Sequence, residues 1–309
     1  MRDHIEPMGL DDAAITRRAR VSDLCFTVLG LLVLFLTLTI LMALVADFVV
    51  DGAARLTPDF FTNFPSRRPE SAGILSAWIG TCLVMLVTGV LAVPVGVAAG
   101  VYLEEYAPKH WVTDFIEVNV TNLAGVPSII FGLLALGLFV QMFGLGQTIL
   151  VAGMTLALLI LPIIIVATRE SLRAIPQDIR EAAFGLGADQ WQTVSIFLLP
   201  AARPGILTGA IVGMSRAIGE TAPIITIGAL TFIAFLPPSP IQASAPFISF
   251  EWLSSPFTVM PIQMFNWVSR PQAGFHVNAA AAGLVLLGMT LLMNGFAIWL
   301  RYRLRRRLR

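Results

Sequence analysis

The chain has 309 residues, 57% hydrophobic and 13% charged, with a mean hydropathy of +0.82 and a formal net charge of +1. A soluble globular domain carries about 25% charged residues, so the composition excludes an ordinary water-soluble fold and asks for a bilayer as solvent. The small net charge offers no basic field for nucleic acid, and the single lysine, Lys109, follows Pro108, so no P-loop ending in Gly-Lys-Ser/Thr exists for nucleotide phosphates.

In chain order, a spanning helix needs about 20 apolar residues. The first candidate, Leu24–Ala46, is uncharged and bounded by Asp23 and Asp47. Arg17, Arg18 and Arg20 precede it as in a signal peptide, but a signal peptide's apolar core is about 7–15 residues. A retained helix is therefore predicted. Ser71–Leu103 is free of charge and predicts one tilted span, with Pro94, Gly96 and Gly100 near its end. Those glycines suit close helix packing, either within this chain or against a second chain. Val118–Thr168 is also uncharged and too long for one span. The turn-forming run Gln141–Gln147 divides it into predicted helices Thr121–Val140 and Thr148–Ala167.

A polar segment, Arg169–Arg203, follows. An apolar helix is predicted over Ile206–Ile233, with Arg216 and Glu220 inside it. A segment rich in Pro, Ser and aromatic residues runs to Val277, where Trp252, Phe265 and Trp267 read as membrane-interface anchors. The last helix, Asn278–Leu300, leads into a basic tail. Pro127, Pro162 and Pro223 fall in or near spans and predict kinks.

The fold expected is all-α, with about six spans and both termini on one side. Placing both termini, Glu104–Asn119 and Arg169–Arg203 in the cytoplasm puts 15 of the 20 basic residues inside and four outside, with Arg216 in the membrane. That asymmetry satisfies the positive-inside rule. Residues 1–70 then hold the tail, first span and outer loop. Residues 71–300 form the transmembrane domain, with a cytoplasmic loop at about 169–205, and residues 301–309 form the tail. His4, His110 and His276 lack metal-ligand spacing, and Cys25 and Cys82 make no disulfide framework.

The cytoplasmic loop carries strong local signals. Pro176 suits a helix first turn, Asp178 and Glu181 suit its dipole, and Gly187 suits its stop. Asp189 with Gln192 forms a capping-box pattern for a second short helix carrying Trp191, Ile196 and Phe197 and ending at Pro200. Such a surface hairpin either merely connects two spans or performs work, with Glu181 free to pair with a nearby arginine.

Glu181-Ala182-Ala183, then Gly187, then Phe197-Leu198-Leu199-Pro200 resemble the EAA loop of binding-protein-dependent ABC permeases, with Phe197 where Ile is commoner. The resemblance implies a type I importer permease (MetI-like) fold. It also implies that Glu181, Ala182, Ala183, Gly187 and Pro200 belong to a coupling helix that docks on a separate ATPase.

Arg216 and Glu220 are four apart and share a helix face. They can pair with each other, and they can line a path for an anion, since arginine's planar fork suits phosphate oxygens. Ser215-Arg216-Ala217-Ile218-Gly219-Glu220-Thr221-Ala222-Pro223 resembles the PstA type of phosphate-importer permease. The partner type, PstC, reads Gly-Glu-Thr-Met at this point. Tyr102–Ala107, Asn122–Ile129 and Ala167–Glu170 agree, and the resemblance covers about Gly73–Ala229. It implies phosphate as cargo and a path lined by Arg216, Glu220 and Thr221. It implies a PstC-like second permease, a PstB-like ATPase dimer that holds the ATP and Mg, and a PstS-like external phosphate-binding protein. No cofactor, metal or catalytic group is expected on this chain, which would reside in a prokaryotic inner membrane among lipid. Sulfate or molybdate import and an ion-coupled secondary carrier are the alternatives.

Overall fold

The structure is a computed structural model describing residues 10–241, 247 and 249–306. Arg2 and His4, and the end of the basic tail from Arg307, lie outside the described residues. The described chain is helical, without a strand among its elements. Five helices are long and apolar enough to cross a membrane, or six if one bent pair is a single span.

Helix α1, Leu10–Gly52, extends well beyond the predicted Leu24–Ala46. Its apolar stretch is exposed along its length. It meets the bundle near its end, where Gly52 lets it approach the Ala280–Ala281 backbone. Short helix α2, Pro58–Thr62, follows. Helix α3, Leu75–Val101, ends in a π-type turn, Tyr102–Tyr106, where the Ala107 N–H reaches back to the Tyr102 carbonyl at 2.8 Å.

The predicted single helix Thr121–Val140 is two. Helices α4, Trp111–Leu123, and α5, Ser128–Ala135, the latter extended by π-type winding to Met142, meet at 106°. Pro127 disfavours helical geometry at Val126, and Gly125 N–H and Val126 N–H close turn hydrogen bonds instead, at 3.0 and 3.2 Å. Helix α6, Ile149–Arg173, starts at the Thr148 cap and carries Pro162 without interruption.

Helix α7, Gln177–Gly185, forms the first arm of the hairpin after α6. The second arm, α8 (Gln190–Gln192), does not stop at Pro200. It winds through a π-type turn, Thr193–Leu198, into α9, Leu199–Gly219, as one run of 30 residues. Pro200 has no N–H to give and its ring crowds the carbonyl four residues back. The widened turn just before it accommodates both.

The predicted helix Ile206–Ile233 ends early, at Gly219. Pro223 lies four residues beyond, where its ring opposes continuation, and the chain restarts as α10, Ala222–Thr226. Helices α11, Met260–Val268, and α12, Ala273–Arg306, complete the fold.

The α3–α6 pair forms the centre, with α9 against α6 and α12 against α9, α11 and α1. A Cβ on Gly96 would stand 2.8 Å from Ile164 Cγ2, and one on Gly100 2.7 Å from Thr168 Cβ. These glycines therefore serve internal packing against α6. Trp252 and Trp267 are not interface anchors. Both are buried, and the Trp267 ring lies 6.0 Å from that of Phe60. The outer segment folds back onto α3 and α12, which removes them from the bilayer surface. Phe265 remains exposed. Arg55 pins this outer layer through Asn278 Oδ1 at 2.9 Å and the carbonyls of Pro69, Glu70 and Ala72.

Candidate functional site

The hairpin of α7 and α8 and the break after α9 hold the residues singled out by the sequence. In the hairpin, α7 ends in a Schellman motif. Gly187 N–H donates to Phe184 O at 2.9 Å and Ala188 N–H to Ala183 O at 3.1 Å. Gly187 itself has φ of +85°, a left-handed conformation that glycine adopts without a Cβ penalty. The Asp189–Gln192 capping box is formed in both directions.

Ala183 is buried, whereas Glu181, Ala182, Phe184, Leu186 and Trp191 face outward. Glu181 forms no salt bridge among the described residues. A local ion pair is therefore not its role here. The hairpin presents an apolar, aromatic surface around a free carboxylate.

Sequence reasoning gave no role to a charged cluster that fixes this hairpin. The π-type turn after α3 supplies two consecutive carboxylates. Glu104 pairs with Arg169 at 3.4 Å and with Arg173 at 2.9 Å. Glu117 of α4 takes the same two arginines at 2.7 and 3.3 Å. Glu105 pairs with Arg180 of α7 at 2.7 Å, and its carbonyl accepts from Gln190 of α8. Arg180 also donates to the Leu172 and Ile175 carbonyls at the end of α6, both at 2.9 Å. Arg169 is 5% exposed. The only sequence signal was a Glu-Glu pair at a helix end and arginines in a distant loop, and chain separation hid the pairing.

At the second place, Arg216 occupies the last turn of α9, and Glu220 lies just past the helix end in extended geometry. Arg216 Nε is 3.2 Å from Glu220 Oε1, with the side chains 37% and 18% exposed. The two do pair, but across a helix terminus and not within one helix. Thr221 precedes α10, which packs on α5. A Cβ at Gly132 of α5 would stand 2.6 Å from Pro223 Cα, so the two short helices are in close contact. Both broken spans thus meet beside Glu220. Apart from Glu220, no side-chain partner of Arg216 occurs among the described residues, so its two Nη nitrogens remain free donors.

A bundle with five or six helices long and apolar enough to cross a membrane, joined by a short helical hairpin, has the architecture of a multi-pass membrane protein. The chain belongs to the family described as binding-protein-dependent transport system inner membrane component, whose profile matches residues 92–309. It is 31% identical over 266 residues to the probable ABC transporter permease protein YqgI of Bacillus subtilis, across 84% of this chain and 88% of that one. It is 33% identical over 211 residues to the phosphate transport system permease protein PstA of Haemophilus influenzae, across 68% of this chain and 74% of that one. A crystal structure of the MetNI methionine ABC transporter in an inward-facing conformation matches with a TM-score of 0.56 at 18% identity. It covers 73% of this chain and 93% of that one, and supports the fold. The chain is an ABC importer permease subunit with a MetI-like fold. Family members are non-catalytic membrane subunits that work with an ATPase and a substrate-binding protein.

Proposed function

We propose that this permease carries inorganic phosphate inward across the cytoplasmic membrane of a prokaryote. The observation that carries the cargo assignment is the Arg216–Glu220 pair at the break in the fifth span, with Nε engaged and no partner on either Nη nitrogen among the described residues. A guanidinium can bind an oxyanion through two parallel N–H donors. Glu220 offsets part of the charge, so the anion is held weakly enough to leave, as conduction requires. Thr221 adds a hydroxyl at the same point. Likeness to proteins named as phosphate permeases supports the reading.

In this reading both termini and the hairpin face the cytoplasm, and Glu181, Ala182, Ala183 and Gly187 form the surface that the ATPase grips. Pro200 shapes the turn that joins this surface to α9. The complex holds a PstC-like second permease, two PstB-like ATPase subunits carrying ATP and Mg, and a PstS-like external phosphate-binding protein. This chain binds no cofactor.

The test is labelled phosphate uptake, with sulfate in parallel, in cells lacking the gene and complemented by wild type or Arg216→Gln at matched membrane levels. A hydrogen bond to a charged group is worth about 1.5–3 kcal/mol, so Arg216→Gln is expected to lower phosphate uptake by about tenfold or more. Restoration of sulfate uptake instead, or full phosphate uptake by Arg216→Gln, overturns the assignment.

A further inference from the structure

We propose that Glu104 and Glu105, the consecutive carboxylates of the π-type turn after α3, relay movement of the cytoplasmic hairpin into α3 and α4. The inference rests on the reading of this chain as a permease driven by a separate ATPase. The hairpin is joined covalently to α6 and α9 alone. Among the described residues, its polar connection to α3 runs through Glu105, which is gripped by both arms: the carboxylate by Arg180 of α7 and the carbonyl by Gln190 of α8.

Glu104, one residue back, pairs instead with Arg169 and Arg173 of α6. Those arginines hold Glu117 and so α4. Beyond the 106° bend, α4 continues as α5, which packs on α10 beside Glu220. Movement at α7 thus has a contiguous route, through ion pairs, α4, its bend and α5, to the break where Arg216 and Glu220 sit. Coupling between distant sites is carried by contiguous networks of this kind. Two features make it a joint and not only a brace. The carboxylates sit on a π-type turn, a geometry frequent at functional sites. They also divide their partners, Glu105 holding the hairpin and Glu104 holding the end of α6.

The experiment reconstitutes the full complex in vesicles and measures solute taken up per ATP hydrolysed. Glu105→Gln keeps the shape and removes the charge. It is expected to assemble and hydrolyse ATP while uptake per ATP falls about tenfold, within the roughly 5–150-fold range of site-to-site coupling. Combining Glu105→Arg with Arg180→Glu is expected to restore coupling beyond either single change. Glu105→Asp, which keeps the charge and shortens the reach, gives an intermediate loss and serves as the reading if Glu105→Gln does not accumulate. Unchanged uptake per ATP, or a proportional fall in ATP hydrolysis and uptake without rescue by the swap, overturns the relay. Each ratio is taken against wild type with whichever anion wild type imports. A wrong cargo therefore appears in wild type and leaves the comparison of variants intact.

Discussion

Gly187 offers a sharp test of the hairpin, because its substitution separates backbone conformation from steric fit. With φ at +85° it terminates α7, yet nothing lies within 4 Å of where a Cβ would stand. The Cβ of Gly187→Val therefore meets open space, and its cost is chiefly the left-handed conformation, about 1–2 kcal/mol, which a β-branched residue adopts least readily. That corresponds to about a 5–30-fold shift in the closed-to-open ratio of the Schellman turn. Gly185, two residues earlier, also has open space around it but lies within α7. Gly185→Ala is expected to be neutral or to gain up to about 1 kcal/mol, as helical glycines do when replaced by alanine. Hydrogen exchange at the Gly187 and Ala188 amides reads the opening directly, and ATP-driven uptake by the assembled complex reads its consequence. Faster exchange by the stated factor with impaired uptake is expected for Gly187→Val, and neither for Gly185→Ala. Equal behaviour of the two variants would refute the claim that a left-handed stop shapes the docking surface.

Phe184→Asp should leave the permease folded, since Phe184 is exposed, while about tenfold less ATPase co-purifies, because exposed apolar surface at the proposed dock is lost. Gly100→Leu should cost about 1–3 kcal/mol by overpacking, since even a Cβ would stand 2.7 Å from Thr168 Cβ. Thermal unfolding in detergent and membrane accumulation measure it. Arg55→Ala leaves Asn278, which is 1% exposed, without its Nε partner. A loss of about 1–3 kcal/mol is expected, seen as a lower melting temperature and faster proteolysis of the outer loop.

Much of the molecule was legible in the sequence where the signal is local. Span positions follow from the length of uncharged runs, because a bilayer core admits no other backbone than one bonded to itself. The hairpin was legible too. Gly187 and the Asp189–Gln192 box act within four residues of themselves, so the sequence names their geometry directly. Prolines were less readable. Pro162 sits inside an unbroken α6, whereas Pro127 and Pro223 mark breaks.

By itself, the sequence determined the membrane class, the start and turn of the hairpin, and the placing of Arg216 and Glu220 four residues apart. Each depends on residues close in the chain. Only the tertiary structure decided that Gly96 and Gly100 face α6, that Trp252 and Trp267 leave the membrane surface, and that α5 and α10 meet beside Glu220. It also decided that Glu104 and Glu105 reach arginines 69 and 75 residues away, one at the end of α6 and one within α7. Partners so far apart in the chain are chosen by helix packing, which carries no signature in local sequence.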